Sequence, residues 1–197
     1  LDNSERLKLN ASNDNGVTAF MFACSNGQKD VVQMLFGHLE QNIDLNARDN
    51  DGRSAFMVAC LFGHKDVIKL FLDNSERIEL NARDNDGRTA FMDACIHGQK
   101  DVVKLLLDNS EIIDFNARHN SGLTSFMFAF KNGRKDVVKL FLDHPEKIEL
   151  NARNDEGYTA YMIACLLEHK DVVKLLLDNV ERIELNARSN NGRTAFM

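Results

Sequence analysis

DGRTAFMDACIHGQKDVVKLLLDNSEIIDFNAR, residues 86–118, is the stretch whose reading decides the fold, because close copies of it fill nearly the whole chain. The triplet Asn-Ala-Arg marks the copies at 46–48, 81–83, 116–118, 151–153 and 186–188, an interval of 35 each time. A degenerate Asn10-Ala11-Ser12 precedes them by 36, one residue having been inserted between Phe36 and Ile43. A fixed period of this length is the signature of a stacked repeat, in which each unit buries its apolar face against its neighbours.

Within the unit, Asp86-Gly87 sits among polar residues and carries a tight-turn signal. Thr89 suits an N-cap, and Ala90, Phe91, Ala94 and Cys95 follow at helical spacing. Gly98 closes that first helix in a left-handed conformation. Asp101 opens a second helix at its positive end, with Val102, Val103, Leu105, Leu106 and Leu107 inward and Asp101, Lys104 and Asp108 outward. Ile113-Asp114-Phe115 then alternates as a short strand does, predicting an extended hairpin into the next copy. The single proline, Pro145, falls in the loop after a second helix.

The order Gly, Thr-Ala-Phe-Met, Ala-Cys, Gly, Asp-Val-Val-Lys-Leu-Leu-Leu, Asn-Ala resembles the ankyrin repeat along essentially the whole chain. The resemblance implies an all-α ankyrin solenoid: stacked helix-turn-helix units joined by β-hairpin loops. It divides the chain into a half-repeat 1–15, full repeats 16–51, 52–86, 87–121, 122–156 and 157–191, and a partial repeat 192–197. Three features depart from the family pattern. Thr-Ala-Phe-Met and its variants stand where the family has Thr-Pro-Leu-His, and each unit is about two residues longer than usual. Glu168 replaces the glycine of positions 27, 63, 98 and 133, so a positive φ is expected there.

Composition excludes several classes. A net charge of −6 argues against general nucleic-acid binding, which needs lysine and arginine on phosphates. No apolar run approaches the roughly 20 residues that span a bilayer, and no signal peptide is visible, although Leu1 is not an initiator Met. Cys24, Cys60, Cys95 and Cys165 share one slot in four repeats, with Phe130 in the remaining one. Equivalent slots in stacked helices lie roughly 10 Å apart, too far for a disulfide. The cysteines therefore read as small buried hydrophobes in the cytoplasm or another reducing compartment. Because arrays need polar caps, a chain that begins at a second helix and stops inside a first helix is expected to belong to a longer array or to carry flanking residues.

No catalytic machinery stands out. Asp49 with Asp51, and Asp84 with Asp86, stop at a glycine and lack the later ligands of a calcium loop, so they read as solvated turn tips. The six histidines form no pair at ligand spacing, and His64 and His169 fill one repeated slot with a structural role. The methionine column 21, 57, 92, 127 and 162 reads as packing, and the Asn10-Ala11-Ser12 sequon as accidental. Neither cofactor nor metal is expected.

What varies between copies is a surface. The resemblance implies that partners meet the turn tips and the exposed side of the first helix, along a concave face. On this chain the candidate contacts are Arg53, Leu61, Phe62, Arg88, Ile96, His97, Leu123, Lys131, Asn132, Tyr158, Leu166 and Leu167. Adjacent exposed apolar residues, as at 61–62 and 166–167, mark contact sites. The expected function is a monomeric, non-enzymatic protein-binding module gripping a protein or peptide, with no nucleic acid or membrane involved. The strip between the two apolar pairs reads as slightly basic, so acidic partner residues are expected there. A second reading makes the array the targeting or regulatory arm of a larger enzyme, and a third a passive spacer.

Overall fold

Five short helices begin in the same way. Thr18, Ser54, Thr89, Thr124 and Thr159 are extended, and each side-chain oxygen accepts from the backbone N–H of the methionine three residues on, at 3.3–3.4 Å. That bond satisfies one orphan donor of the first turn. In the computed structural model, which describes residues 9–37, 43–109 and 111–195, these caps start α1 (Ala19–Ser25), α3 (Ala55–Phe62), α5 (Ala90–His97), α7 (Ser125–Lys131) and α9 (Ala160–Leu166). Their partners are α2 (Lys29–Gly37), α4 (Lys65–Asp73), α6 (Lys100–Asp108), α8 (Lys135–Asp143) and α10 (Lys170–Leu177). An aspartate stands in the first turn of every one of them, where a carboxylate favours the helix dipole. The start and end of the chain expected to hold partial repeats, and the residue inserted between Phe36 and Ile43, lie wholly or partly outside the described residues.

First helices stack on first helices, second on second, and the two layers enclose one continuous core. Phe56, Phe71, Phe91, Phe126, Phe130 and Phe141 are fully buried in it, with Met21, Met57 and Met92 beside them. Phe130 fills the cysteine slot of its repeat and meets Phe126 edge-on at 4.6 Å. All four cysteines are free thiols, and burial pushes those of Cys24, Cys60 and Cys95 up. Leu105, expected inward, is only half-buried.

The glycine slot has a packing reason as well as a backbone one. Gly27, Gly63, Gly98 and Gly133 have φ of 61–79°, and the next repeat lays a side chain directly against each. His64, Gln99, Arg134 and His169 occupy that place and reach back to the carbonyls of Ser25, Leu61, Ile96 and Lys131 at 2.8–2.9 Å. The structural role expected for His64 and His169 is thus a hydrogen bond between repeats. Glu168 has φ 55°, as its position requires, and it is the one non-glycine residue with positive φ among those described.

The triplet Asn-Ala-Arg is the seam of the stack. Asn46, Asn81, Asn116 and Asn151 each donate to a carbonyl of the next repeat (Arg77, Ile112, Lys147, Arg182) at 2.9–3.0 Å. Their amide oxygens accept from Glu79, Asp114, Glu149 and Glu184 N–H at 2.8–3.0 Å. Arg48, Arg83, Arg118 and Arg153 donate to the carbonyl of the arginine one repeat on. These bonds explain why Ile113-Asp114-Phe115 is not the expected strand. Ile113 and Phe115 do turn inward, but the Asp114 N–H goes to the Asn81 side chain and not to a neighbouring strand. Among the described residues the only β-type pairings are the isolated bridges Ser12–Thr18 and Arg48–Ser54.

Candidate partner-binding face

Each turn tip is closed by one acceptor at its first residue. Asp49 Oδ1 accepts from Asp51 N and Arg53 N at 3.0 and 2.8 Å, and Asp84 Oδ1 from Asp86 N and Arg88 N at 3.0 and 2.7 Å. Asn154 does the same for Glu156 and Tyr158. Asp49 and Asp84 are therefore buried, not solvated as their polar surroundings suggested; two backbone N–H bonds each compensate the lost water. Only Asp51 and Asp86, two residues further on, face solvent.

This geometry aims the third tip residue of each repeat at the first helices. Arg53 donates from Nε to Asp49 Oδ2 and ion-pairs through its outer nitrogen with Asp51, both at 2.8 Å. Arg88 pairs with Asp84 and Asp86, but its Nε lies 3.2 Å from Asp84 Oδ2 in poor alignment and makes no hydrogen bond. The two arginines are thus held by their own tips. Two carboxylates against each guanidinium leave this part of the strip acidic, not slightly basic as read from the sequence.

Three of the hollows between tips and first helices bear on the candidates. The first is lined by Val17, Phe22, Val58, Leu61 and Phe62, with Arg53 at its edge. The second, sharing Arg53 and Leu61 with it, holds Asp51, Asp84, Asp86, Arg88 and Asp93. The third is lined by Leu123, Lys131, Tyr158, Ile163, Leu166 and Leu167. Phe62 is 55% exposed, Leu166 69% and Leu167 44%, whereas Leu61 and Tyr158 are half-buried. Leu123 differs from its expectation as an exposed contact. It is buried in the core cluster and lines the third hollow together with Tyr158 and Leu166.

The remaining candidates stand apart from these hollows. Ile96 is half-buried and His97 exposed at the end of α5, where His97 Nδ1 is 2.9 Å from the carbonyl oxygen of Asp93. Asn132 donates to the carbonyl of Phe128 in its own helix, which caps α7.

Sequence reading missed two residues of this face. Phe22 is 61% exposed, and Asp93 is 3% exposed. Both belong to the fourth slot after the cap residue, filled by Phe22, Val58, Asp93, Phe128 and Ile163. Reading that column down the five copies finds Asp93, the one charged member. Its carboxyl accepts no hydrogen bond among the described residues. Burial raises its pKa from the ordinary 3.8 to about 7, against the lowering pull of Arg88 and Arg53, with Asp84 adding to the rise.

Among the described residues no group of three or more His, Cys, Asp or Glu is placed to hold a metal, and no helix is long and apolar enough to cross a membrane. Family models described as ankyrin repeats match residues 39–119, 76–154 and 111–189, and a second such model matches residues 1–56. No curated protein matches the chain.

Proposed function

This chain belongs to the ankyrin repeat family, whose members are generally protein-protein interaction modules without catalysis, and from that premise we propose that it binds a protein or peptide along the tip and first-helix face. The same proposal takes this face as the concave one, the chain as a monomer, and its setting as the cytoplasm or another reducing compartment. One observation carries it: Phe22, Phe62, Leu166 and Leu167 are large, apolar and exposed on one face, beside charged tips. Water-exposed apolar clusters with a polar rim are where partners dock. Lys131 at the third hollow and Ile96 and His97 between the two ends extend the surface that a long segment would cover.

The test is a selection of short random peptides displayed on phage against the immobilised chain, followed by titration of the enriched peptides. Phe62→Ser and Leu167→Ser should each weaken binding about tenfold to a hundredfold, since a large buried anchor contributes about 1.5–3 kcal/mol. Leu177→Ser, on the outer second-helix layer and 46% exposed, should leave it unchanged. Wild-type affinity in both groove variants, with helical content retained, contradicts the assignment of the face.

A further inference from the structure

The hollow between the second and third tips is built differently from its neighbours. Four carboxyl groups (Asp51, Asp84, Asp86 and Asp93) face two guanidiniums, Arg53 and Arg88. Three of the four are accounted for: Asp51 and Asp86 pair with the arginines at the rim, and Asp84 closes its turn. Asp93 is not. It is 97% removed from solvent, lines the hollow, and has no hydrogen-bond donor among the described residues. The Nε–H of Arg88 beside it is buried and unbonded. Buried polar groups in folded chains are almost always satisfied, so one that is not marks a place where something else completes the set.

The scaffold does not require a carboxylate there, because the equivalent slots hold Phe22, Val58, Phe128 and Ile163 in the same backbone. The excess charge is negative, and a buried charge is tolerated when a counter-charge seats against it. Leu61 lines both this hollow and the apolar one containing Phe62, offering a wall for an aliphatic stem whose charged end lies further in. We infer that this hollow receives a lysine or arginine side chain from the bound segment, with Asp93 as its buried counter-charge and a large apolar residue of the same segment seated beside it against Phe62. The inference rests on the proposed binding face and gives its partner a chemical character: a peptide with a basic residue next to an apolar anchor.

The experiment repeats the peptide selection on the wild-type chain, on Asp93→Val, which restores the residue type of Val58, and on Asp93→Asn. Wild-type selection should enrich lysine or arginine at one fixed position beside a large apolar residue, and both variants should lose that preference. A peptide selected on the wild type should bind Asp93→Val about 30-fold more weakly or worse. Replacing its basic residue by norleucine should weaken it on the wild type and cost little more on Asp93→Val. Lysine and arginine versions titrated side by side establish which cation seats. Peptides that depend on Phe62 and Leu167 yet carry no fixed basic residue, carry an acidic one there, or bind Asp93→Val as tightly, overturn the inference and leave the binding face standing. If no enriched peptide depends on Phe62 or Leu167, both fall together.

Discussion

The second and third repeats on one side, and the fourth and fifth on the other, place the same three slots around the same backbone and fill them with opposite chemistry. In the first pair the slots hold Arg53, Arg88 and Asp93; in the second they hold Leu123, Tyr158 and Ile163. Ile163 is buried where Asp93 is buried, and Leu123 is sunk into the core where Arg53 remains half-exposed among carboxylates. The seam behind them is alike in both regions, with asparagine brackets of matching length and an arginine-to-carbonyl contact in each. On the proposed binding face, stability and recognition are thus carried by different columns of one repeat. The seam can be copied because it binds the chain to itself, while the front is free to change sign.

Exchanging chemistry between the two regions should have the largest effect. Ile163→Asp places a carboxylate where the neighbours are Tyr158 and Leu123 in place of Arg88 and Arg53. An uncompensated buried charge costs about 3–5 kcal/mol, so the variant should lose about that much at pH 8 in urea denaturation, and less at pH 4, where the group is protonated. Retained stability at pH 8 would mean that the two regions do not differ as described.

The converse exchange, Asp93→Val, should stabilise. A carboxyl whose folded pKa lies above its unfolded value binds more protons in the folded state between the two. For Asp93 the folded form is unpenalised below about pH 4, loses stability from there to about pH 7, and then levels off. The gain from Asp93→Val should therefore be near zero at pH 4 and up to about 4 kcal/mol at pH 8. Denaturation curves of both chains across that range check it. Such a gain, with peptide binding lost, is the exchange between stability and function that the proposed role of Asp93 entails.

Within the second region the smallest effect concerns Glu168. Its φ of 55° costs a residue with a Cβ roughly 1 kcal/mol relative to glycine, so Glu168→Gly should gain about that amount. An unchanged midpoint would show that the left-handed turn is not strained.

The division between seam and front also decides what was legible in the sequence. Period, caps and turn glycines are local and recur, so Thr89, Gly98 and Asp101 could be placed without coordinates. The strand at Ile113-Asp114-Phe115 was misread because alternation reports which side chains are inward, not where the backbone bonds go; Asn81 takes the N–H that a strand would have taken. The tip acids were misread because polarity says nothing of burial, and Asp49 and Asp84 turn in to bind backbone N–H groups. Phe62, Leu166 and Leu167 were visible as adjacent apolar pairs. Asp93 was not, since one aspartate in a helix is unremarkable until Phe22, Val58, Phe128 and Ile163 are aligned with it.

The account turns on Asp93 being a buried carboxyl without a donor of its own, between two arginines already engaged elsewhere. Its side-chain carboxyl carbon, followed by 13C NMR as pH is raised and assigned by its absence in Asp93→Asn, tests this without any partner. A midpoint near pH 7 is the result predicted. A midpoint near pH 4, the ordinary range of an aspartate in water, would contradict it.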